Sequence, residues 1–247
     1  MDIIEIKNLT KIYKAKDFWK NDITHGVENI NLTIAKGEVF GLLGLNGAGK
    51  TTLMKVLLGL LKPTSGSVKV FGGDINERKN RKKIGYLSEL PYFPKYLTAN
   101  EILDYFCDLF DIPVKEKAER IKSVLKLVRL EGKENIKLKN FSKGMQERLG
   151  LAQAILNDPE LLFLDEPMSG LDPLGYKETR DIIIALNKQG KTIFFNSHIL
   201  SEVEKVCDRV GIIKDGRLVA VRKINEIKKT YATLEQYFVS VVAPSAR

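Results

Sequence analysis

The most constraining feature of this 247-residue sequence is the segment GLNGAGKT over 44–51, which fits the pattern G-x-x-x-x-G-K-[ST]. An apolar run over 38–43 precedes it and predicts a buried strand, and a helical pattern over 50–61 follows it. Glycines at such a junction let successive backbone N–H groups surround phosphate oxygens, and the helix N-terminus adds positive potential. The segment therefore predicts a phosphate-binding loop between a strand and a helix.

Two side chains of this loop have predicted chemical roles. Lys50 can reach the β- and γ-phosphates of a nucleotide, and the hydroxyl of Thr51 can bind Mg²⁺. The residues that we assign to nucleotide binding in this segment are Gly44, Asn46, Gly47, Ala48, Gly49, Lys50, Thr51 and Thr52.

A second apolar run, over 161–164, ends in the adjacent carboxylates Asp165 and Glu166. It predicts a core strand that delivers two acids to its C-terminal end, where ligands bind in open parallel sheets. Asp165 can hold Mg²⁺, directly or through water, and Glu166 can act as general base or orient water for attack on a γ-phosphate. Such a run alone is weak evidence, but together with the phosphate loop it predicts nucleotide hydrolysis.

The order of the predicted elements indicates an α/β fold with a mostly parallel sheet core, and together with the phosphate loop it resembles a P-loop NTPase (RecA-like). Alternating patterns over 3–13 and 27–34 add an N-terminal antiparallel β part. The stretch 89–141 shows only helical patterns, opened by a capping box at Thr98 and Glu101. The expected domains are an α/β core at 1–88 and 142–222, an inserted helical subdomain at 89–141, and a short helix and tail at 223–247.

Composition excludes several classes of protein. The chain is 44% hydrophobic and 29% charged, with a mean hydropathy of −0.14, which is typical of a globular protein. No apolar run approaches the roughly 18 residues of a membrane span, and the N-terminus lacks a secretory pattern. Cys107 and Cys207 are expected to be free, buried thiols. The net charge of +9 is scattered in short groups, so we expect no nucleic-acid partner.

Three further motifs complete a pattern known from one family. The segment FSKGMQ over 141–146 precedes Glu166, SGLD over 169–172 follows it, and His198 comes after a further apolar run. With the phosphate loop, this combination resembles the nucleotide-binding subunit of ABC transporters over about 3–221. Two features resemble the multidrug-type, sodium-type and lantibiotic-type exporters within that family. One is Glu89, at a position where the family usually has glutamine, and the other is the single-domain layout.

The resemblance implies roles for residues outside the phosphate loop. Ser142 and Gly144 would contact ATP bound to a second subunit, and Asp172 would lie in the loop that joins the two sites. His198 would contact the γ-phosphate. Tyr13 matches the aromatic residue that stacks on adenine, although the longer segment 14–26 leaves Phe18 or Trp19 as alternatives.

Two positions depart from the family pattern. Lys143 stands where glycine is usual, so the signature motif is degenerate. Glu89 stands where the family usually has glutamine. A carboxylate there can still bind Mg²⁺, but it adds negative charge near the phosphates.

The resemblance implies an ATPase that binds ATP and Mg²⁺ and dimerises around two ATP molecules, as a homodimer or a heterodimer. It would drive transport, in the direction of export, through separate integral membrane permease subunits, and would lie on the cytoplasmic face of the cell membrane. Two alternatives are a non-transport ABC ATPase acting on ribosomes or nucleic acid and a GTP-binding switch. The first normally carries two cassettes or a long coiled coil, and the second needs a guanine-reading motif. None of these features is visible in the sequence.

Overall fold

The computed structural model describes residues 1–14 and 23–243. The strands are β1 Asp2–Lys14, β2 Ile23–Ala35, β3 Val39–Leu43, β4 Ser65–Val70, β5 Ile84–Leu87, β6 Leu161–Asp165, β7 Thr192–Asn196, β8 Arg209–Lys214 and β9 Arg217–Lys223. The α-helices are α1 Lys50–Leu57, α2 Arg78–Arg81, α3 Ala99–Leu109, α4 Val114–Leu127, α5 Lys143–Ile155, α6 Pro173–Lys188, α7 Leu200–Val206, α8 Ile224–Ile227 and α9 Leu234–Val242. A 3₁₀ helix spans Leu138–Asn140.

The chain divides into two compact units. The first comprises Met1–Arg81 with Asn196–Arg247, and the second comprises Lys82–Phe195. These limits differ from the boundaries at 88/89 and 141/142 that the sequence predicts. The predicted boundaries follow changes in composition, whereas the two units are defined by contacts within the structure. The helical subdomain at 89–141 therefore stays a prediction.

The first unit contains the antiparallel β part that the sequence predicted. Strand β1 lies between β2 and β4, and Ile4 is paired with Ile34 on one side and Val70 on the other. Strand β3 is buried along its whole length and runs parallel to β8. The turn between β8 and β9 has φ values of 49° at Asp215 and 77° at Gly216, both in the left-handed region that such hairpins require.

The second unit contains parallel strands and the helices packed with them. Strands β5 and β6 are parallel neighbours in register from Ile84–Leu161 to Leu87–Leu164, and β6 and β7 are buried throughout. The capping box at Thr98 and Glu101 is present and opens α3 as predicted. Strands that lie parallel and side by side bring their C-terminal ends to one edge, which is where Asp165 lies.

The helices differ from the prediction in their limits and in their number. Helix α1 ends at Leu57 rather than near 61 because Gly59 adopts a left-handed φ of 71° and terminates it. Helix α6 begins at Pro173, since the carboxylate of Asp172 accepts a hydrogen bond from Gly175 N at 2.7 Å and caps the helix. Two helices, α8 and α9, lie after β9, where one was expected.

Both cysteines are buried and free, as predicted, and burial raises the pKa of each thiol. Of the helices in the described part of the chain, none combines the length and apolar character that a bilayer span requires.

Candidate nucleotide-binding site

The phosphate loop lies where the sequence predicted it, between β3 and α1 in the first unit. Gly47 and Gly49 have φ values of 79° and 111°, so the chain turns through conformations that favour glycine. Gly49 is the N-cap residue of α1, and no side chain within the described residues caps this helix. The positive end of the helix dipole of α1 therefore faces the loop without a capping carboxylate or hydroxyl from the described residues, as is typical of a phosphate site.

Lys50 is held inside this loop. Only 9% of the residue is exposed, and its ammonium group donates hydrogen bonds to the carbonyl oxygens of Gly44 at 2.7 Å and Leu45 at 3.1 Å. These contacts hold a desolvated positive charge at the N-terminus of α1. A phosphate entering the loop would meet a cation already in place.

Backbone contacts from neighbouring strands fix the shape of the loop. A Cβ atom at Gly44 would lie 2.5 Å from Ile213 O, and one at Gly49 would lie 2.4 Å from Gly26 O. Gly216 N, in the hairpin turn, donates a hydrogen bond to Ala48 O at 3.0 Å. Glycine is required at 44 and 49 because of these close approaches, and at 49 also because of its left-handed φ.

Tyr13 lies beside the helix that follows the loop. Its hydroxyl is 3.2 Å from the Thr52 hydroxyl, and 38% of the residue is exposed. Thr51, the predicted magnesium ligand, is exposed on the first turn of α1. The alternative aromatic residues Phe18 and Trp19 lie outside the described residues.

The predicted acids lie in the second unit. Asp165 is the last residue of β6 and is 7% exposed, and Glu166 follows it with a left-handed φ of 51°. Such a conformation is costly for a residue with a side chain and is concentrated at functional sites. Burial raises the pKa of Tyr86, and the negative charges of Asp165 and Glu89 raise it further. Glu89 therefore lies within electrostatic range of the edge where Asp165 ends its strand.

The signature residues are brought together in one cleft of the second unit. Ser142 caps α5 by accepting a hydrogen bond from Met145 N at 3.2 Å. A cleft of about 380 Å³ is lined by Ser142, Gly144 and Asp172, and also by Lys143. A Cβ atom on Gly170 would lie 2.0 Å from the ammonium nitrogen of Lys143, so that lysine rests directly on the loop before α6.

His198 follows β7 and belongs to the first unit with Asn196 and Ser197. The imidazole is exposed, whereas Asn196 and Ser197 are buried. The hydroxyl of Ser197 accepts a hydrogen bond from Ile199 N at 3.0 Å, which shapes the turn that presents His198.

Sequence reasoning missed Glu147, one turn after the signature residues. It is 5% exposed, its Oε1 makes no hydrogen bond within the described residues, and burial raises its pKa to about 8. Glu147, Leu151 and Ala154 are all buried at the spacing of one helix face. That periodicity was the signal that could have identified a carboxyl group on the buried side of α5.

The two predicted magnesium ligands, Thr51 in the first unit and Asp165 in the second, each offer an oxygen donor. Within the described residues, no group of three or more His, Cys, Asp or Glu side chains could hold a metal ion. Mg²⁺ prefers oxygen donors and keeps several waters, so one or two protein ligands with substrate phosphates are enough. The hydroxyl of Thr51 and the carboxylate of Asp165 are donors of this kind.

A buried strand, a glycine loop with an enclosed lysine and an uncapped helix define a P-loop nucleotide-binding protein. The family model described as ABC transporter matches residues 27–169, more than half of the chain. The chain belongs to this family as an ATP-binding subunit, which confirms the resemblance inferred from its motifs.

Relatives and a solved structure match along most of the chain. Bacitracin transport ATP-binding protein BcrA of Bacillus licheniformis is 42% identical, over 92% of this chain and 72% of that protein. Lantibiotic transport ATP-binding protein SrtF of Streptococcus pyogenes is 39% identical, over 88% and 89%. The dimeric post-hydrolysis state of the ATP-binding cassette MJ0796 bound to ADP and Pi matches with a TM-score of 0.79 at 27% identity, over 90% of this chain and 98% of that one.

The chain spans about two thirds of the length of two other relatives. ABC transporter ATP-binding proteins of Nostoc sp. and Synechocystis sp. are 48% and 46% identical to it, and it covers 68% and 64% of their lengths.

Proposed function

We propose that the chain hydrolyses ATP as the motor subunit of an exporter. The observation that carries this proposal is the phosphate loop, in which an enclosed Lys50 lies at the N-terminus of an uncapped helix. A buried cation beside a helix N-terminus that no side chain of the described residues caps favours a polyphosphate over a neutral ligand.

Each unit supplies its own chemistry to the proposed reaction. Lys50 and the loop amides bind the β- and γ-phosphates, and Tyr13 stacks on adenine. Thr51 and Asp165 serve as magnesium ligands, with Glu89 as a further acidic donor. Mg²⁺, when bound, neutralises phosphate charge and orients the γ-phosphate for attack.

Glu166 is the proposed general base. The residue follows β6 directly, with a left-handed backbone, and its carboxylate would accept a proton from the attacking water. His198 donates a hydrogen bond to the γ-phosphate oxygen and stabilises the charge that develops there.

The signature cleft is proposed to bind the ATP of a second subunit. Ser142 and Gly144 offer a hydroxyl and a backbone amide at the N-terminus of α5, and Asp172 lines the same cleft. The exposure of Ser142 in the single chain leaves this helix end open to a partner surface. The dimeric form of the structural relative bound to ADP and Pi supports this arrangement.

The helical segment 89–141 is proposed to contact integral membrane permease subunits, which would place the protein on the cytoplasmic face of the membrane. Three large apolar residues at its start are strongly exposed, Leu90 at 76%, Tyr92 at 87% and Tyr96 at 72%. An apolar surface of this kind is typical of a protein interface. The relatives named for bacitracin and lantibiotic transport support a transport role, and we propose export as its direction.

The decisive test is Glu166→Gln. The amide keeps the shape of the side chain but cannot accept the proton, so ATP turnover should fall by on the order of 10²-fold or more while ATP binding is retained. Turnover is measured by phosphate release and binding by calorimetry. Gel filtration with ATP should then show this variant shifting from monomer to dimer. Near-normal turnover would refute the assignment of Glu166.

A further inference from the structure

Tyr13 is joined to the phosphate-binding helix by a hydrogen bond. Its hydroxyl and that of Thr52, on the first turn of α1, are 3.2 Å apart, and either can donate. The ammonium group of Lys11 lies 5.7 Å from the centre of the Tyr13 ring, over one of its faces. Since the residue is still 38% exposed, part of the ring remains open to a ligand.

The contact between Tyr13 and Thr52 is possible because residue 26 is a glycine and has no side chain. The pairing of β1 with β2 shifts from Lys11–Val27 to Ile12–His25, which leaves Gly26 as an extra residue in β2. A Cβ atom at Gly26 would lie 2.6 Å from Cε2 of Tyr13 and 2.8 Å from Cγ2 of Thr52. Both distances are too short for real atoms, so any side chain at residue 26 would push the ring away from α1.

We propose that Gly26 and Thr52 are positioning residues that fix the Tyr13 ring against α1, so that the base and the phosphates of one nucleotide are bound by a single rigid element. This inference rests on the proposed function, in which Tyr13 stacks on adenine. It explains why the Tyr13 ring lies against α1, and it assigns positioning roles to Gly26 and Thr52, which need not touch the base.

The chemistry of the hydroxyl pair favours this arrangement. A hydroxyl group has one donor and two acceptor sites. When Tyr13 donates to Thr52, the Thr52 hydroxyl keeps its own proton for a phosphate oxygen. A ring held in place before the base arrives also loses less conformational freedom on binding than a mobile one, which improves affinity.

The test measures how much the base contributes to binding. On the purified full chain in magnesium-free buffer, Kd is measured for ATP and for inorganic tripolyphosphate, by competition with a fluorescent ATP analogue. The ratio of the second Kd to the first is the base contribution. Tyr13→Phe keeps the ring but loses the hydrogen bond, so this ratio should fall about three- to tenfold while the Kd of tripolyphosphate stays within about twofold.

Thr52→Val should lower the ratio by a similar factor, and the double variant should lower it no further, because both remove the same bond. Thr52→Ser restores the hydroxyl and should restore the ratio. Gly26→Ala should lower it by displacing the ring. Tyr231→Phe is the matched control, because it also loses a hydroxyl pair, with Ser240 at 3.3 Å, and should leave the ratio unchanged.

An unchanged ratio in Tyr13→Phe, or additive losses in the double variant, would overturn the inference while leaving the proposed function intact. Failure of the wild type to bind ATP would overturn both. The hydroxyl variants are independent of Gly26→Ala, so the test holds even where that variant folds poorly.

Discussion

The N-termini of α1 and α5 are both proposed to bind phosphate, but they differ in their side-chain caps. The first turn of α1 follows a glycine N-cap and has no side-chain cap within the described residues, and Lys50 is enclosed beside it. The first turn of α5 is capped by the hydroxyl of Ser142, and its cleft is open. In the proposed function, α1 binds an anion with residues of its own loop, whereas α5 is already capped by its own residue and binds a phosphate only when a second subunit delivers one.

This difference predicts that α1 depends on its lysine more than on any other side chain. In Lys50→Ala the charge-assisted bonds to the β- and γ-phosphates are lost, and ATP affinity should fall on the order of 100-fold or more. Calorimetric titration with ATP measures this loss. Lys55→Ala is the control, since Lys55 is exposed on the last turn of the same helix and should leave ATP affinity within about twofold. Equal losses in the two variants would show that general positive charge, and not the loop, attracts ATP.

The stability of α5, by contrast, should depend on pH through Glu147. The folded chain raises the pKa of this carboxyl from 4.5 to about 8, chiefly by burial and against the attraction of Lys143. Between these two values the folded state holds a proton that the unfolded chain releases, so stability is complete below about pH 4.5 and falls as the pH rises toward 8. The glutamine in Glu147→Gln is neutral throughout and should remove this fall.

Urea denaturation at several pH values gives the measurement. At pH 8.5 Glu147→Gln should be more stable than the wild type by a few kcal/mol, and near pH 4.5 the two should agree. Glu119→Gln, at an exposed glutamate of α4, serves as the control and should follow the wild type at every pH. A wild-type curve that does not fall between pH 5 and 8 would contradict the raised pKa of the buried Glu147 carboxyl.

The two helix ends also differ in how well the sequence predicted them. The loop before α1 was predictable because strand, glycines, lysine and helix follow one another within a few residues, so local chemistry determines the site. The end of α1 at Leu57 was missed because the left-handed Gly59 terminates the helix, although the helical pattern in the sequence continues to 61. Glu147 was missed although the helical spacing of buried residues in α5 was a local signal for it. Gly26 was missed for a different reason, because its importance comes from the Tyr13 ring and the Thr52 side chain, which only the folded structure brings next to it.

The smallest expected effect tests whether Ser142 is more than a helix cap. Thr98 caps α3 by accepting a hydrogen bond from Glu101 N at 3.2 Å, as Ser142 caps α5 by accepting one from Met145 N. Removing either cap should cost about 1 kcal/mol of stability, measured by urea denaturation. Only Ser142→Ala should also lower ATP turnover, by about tenfold, while ATP binding to the single subunit stays within about twofold. If Thr98→Ala lowers turnover by the same factor, the loss reflects weakened folding alone. The N-terminus of α5 would then be an ordinary helix cap with no role in ATP binding. Of the two helix N-termini, only that of α1 would be a phosphate-binding site.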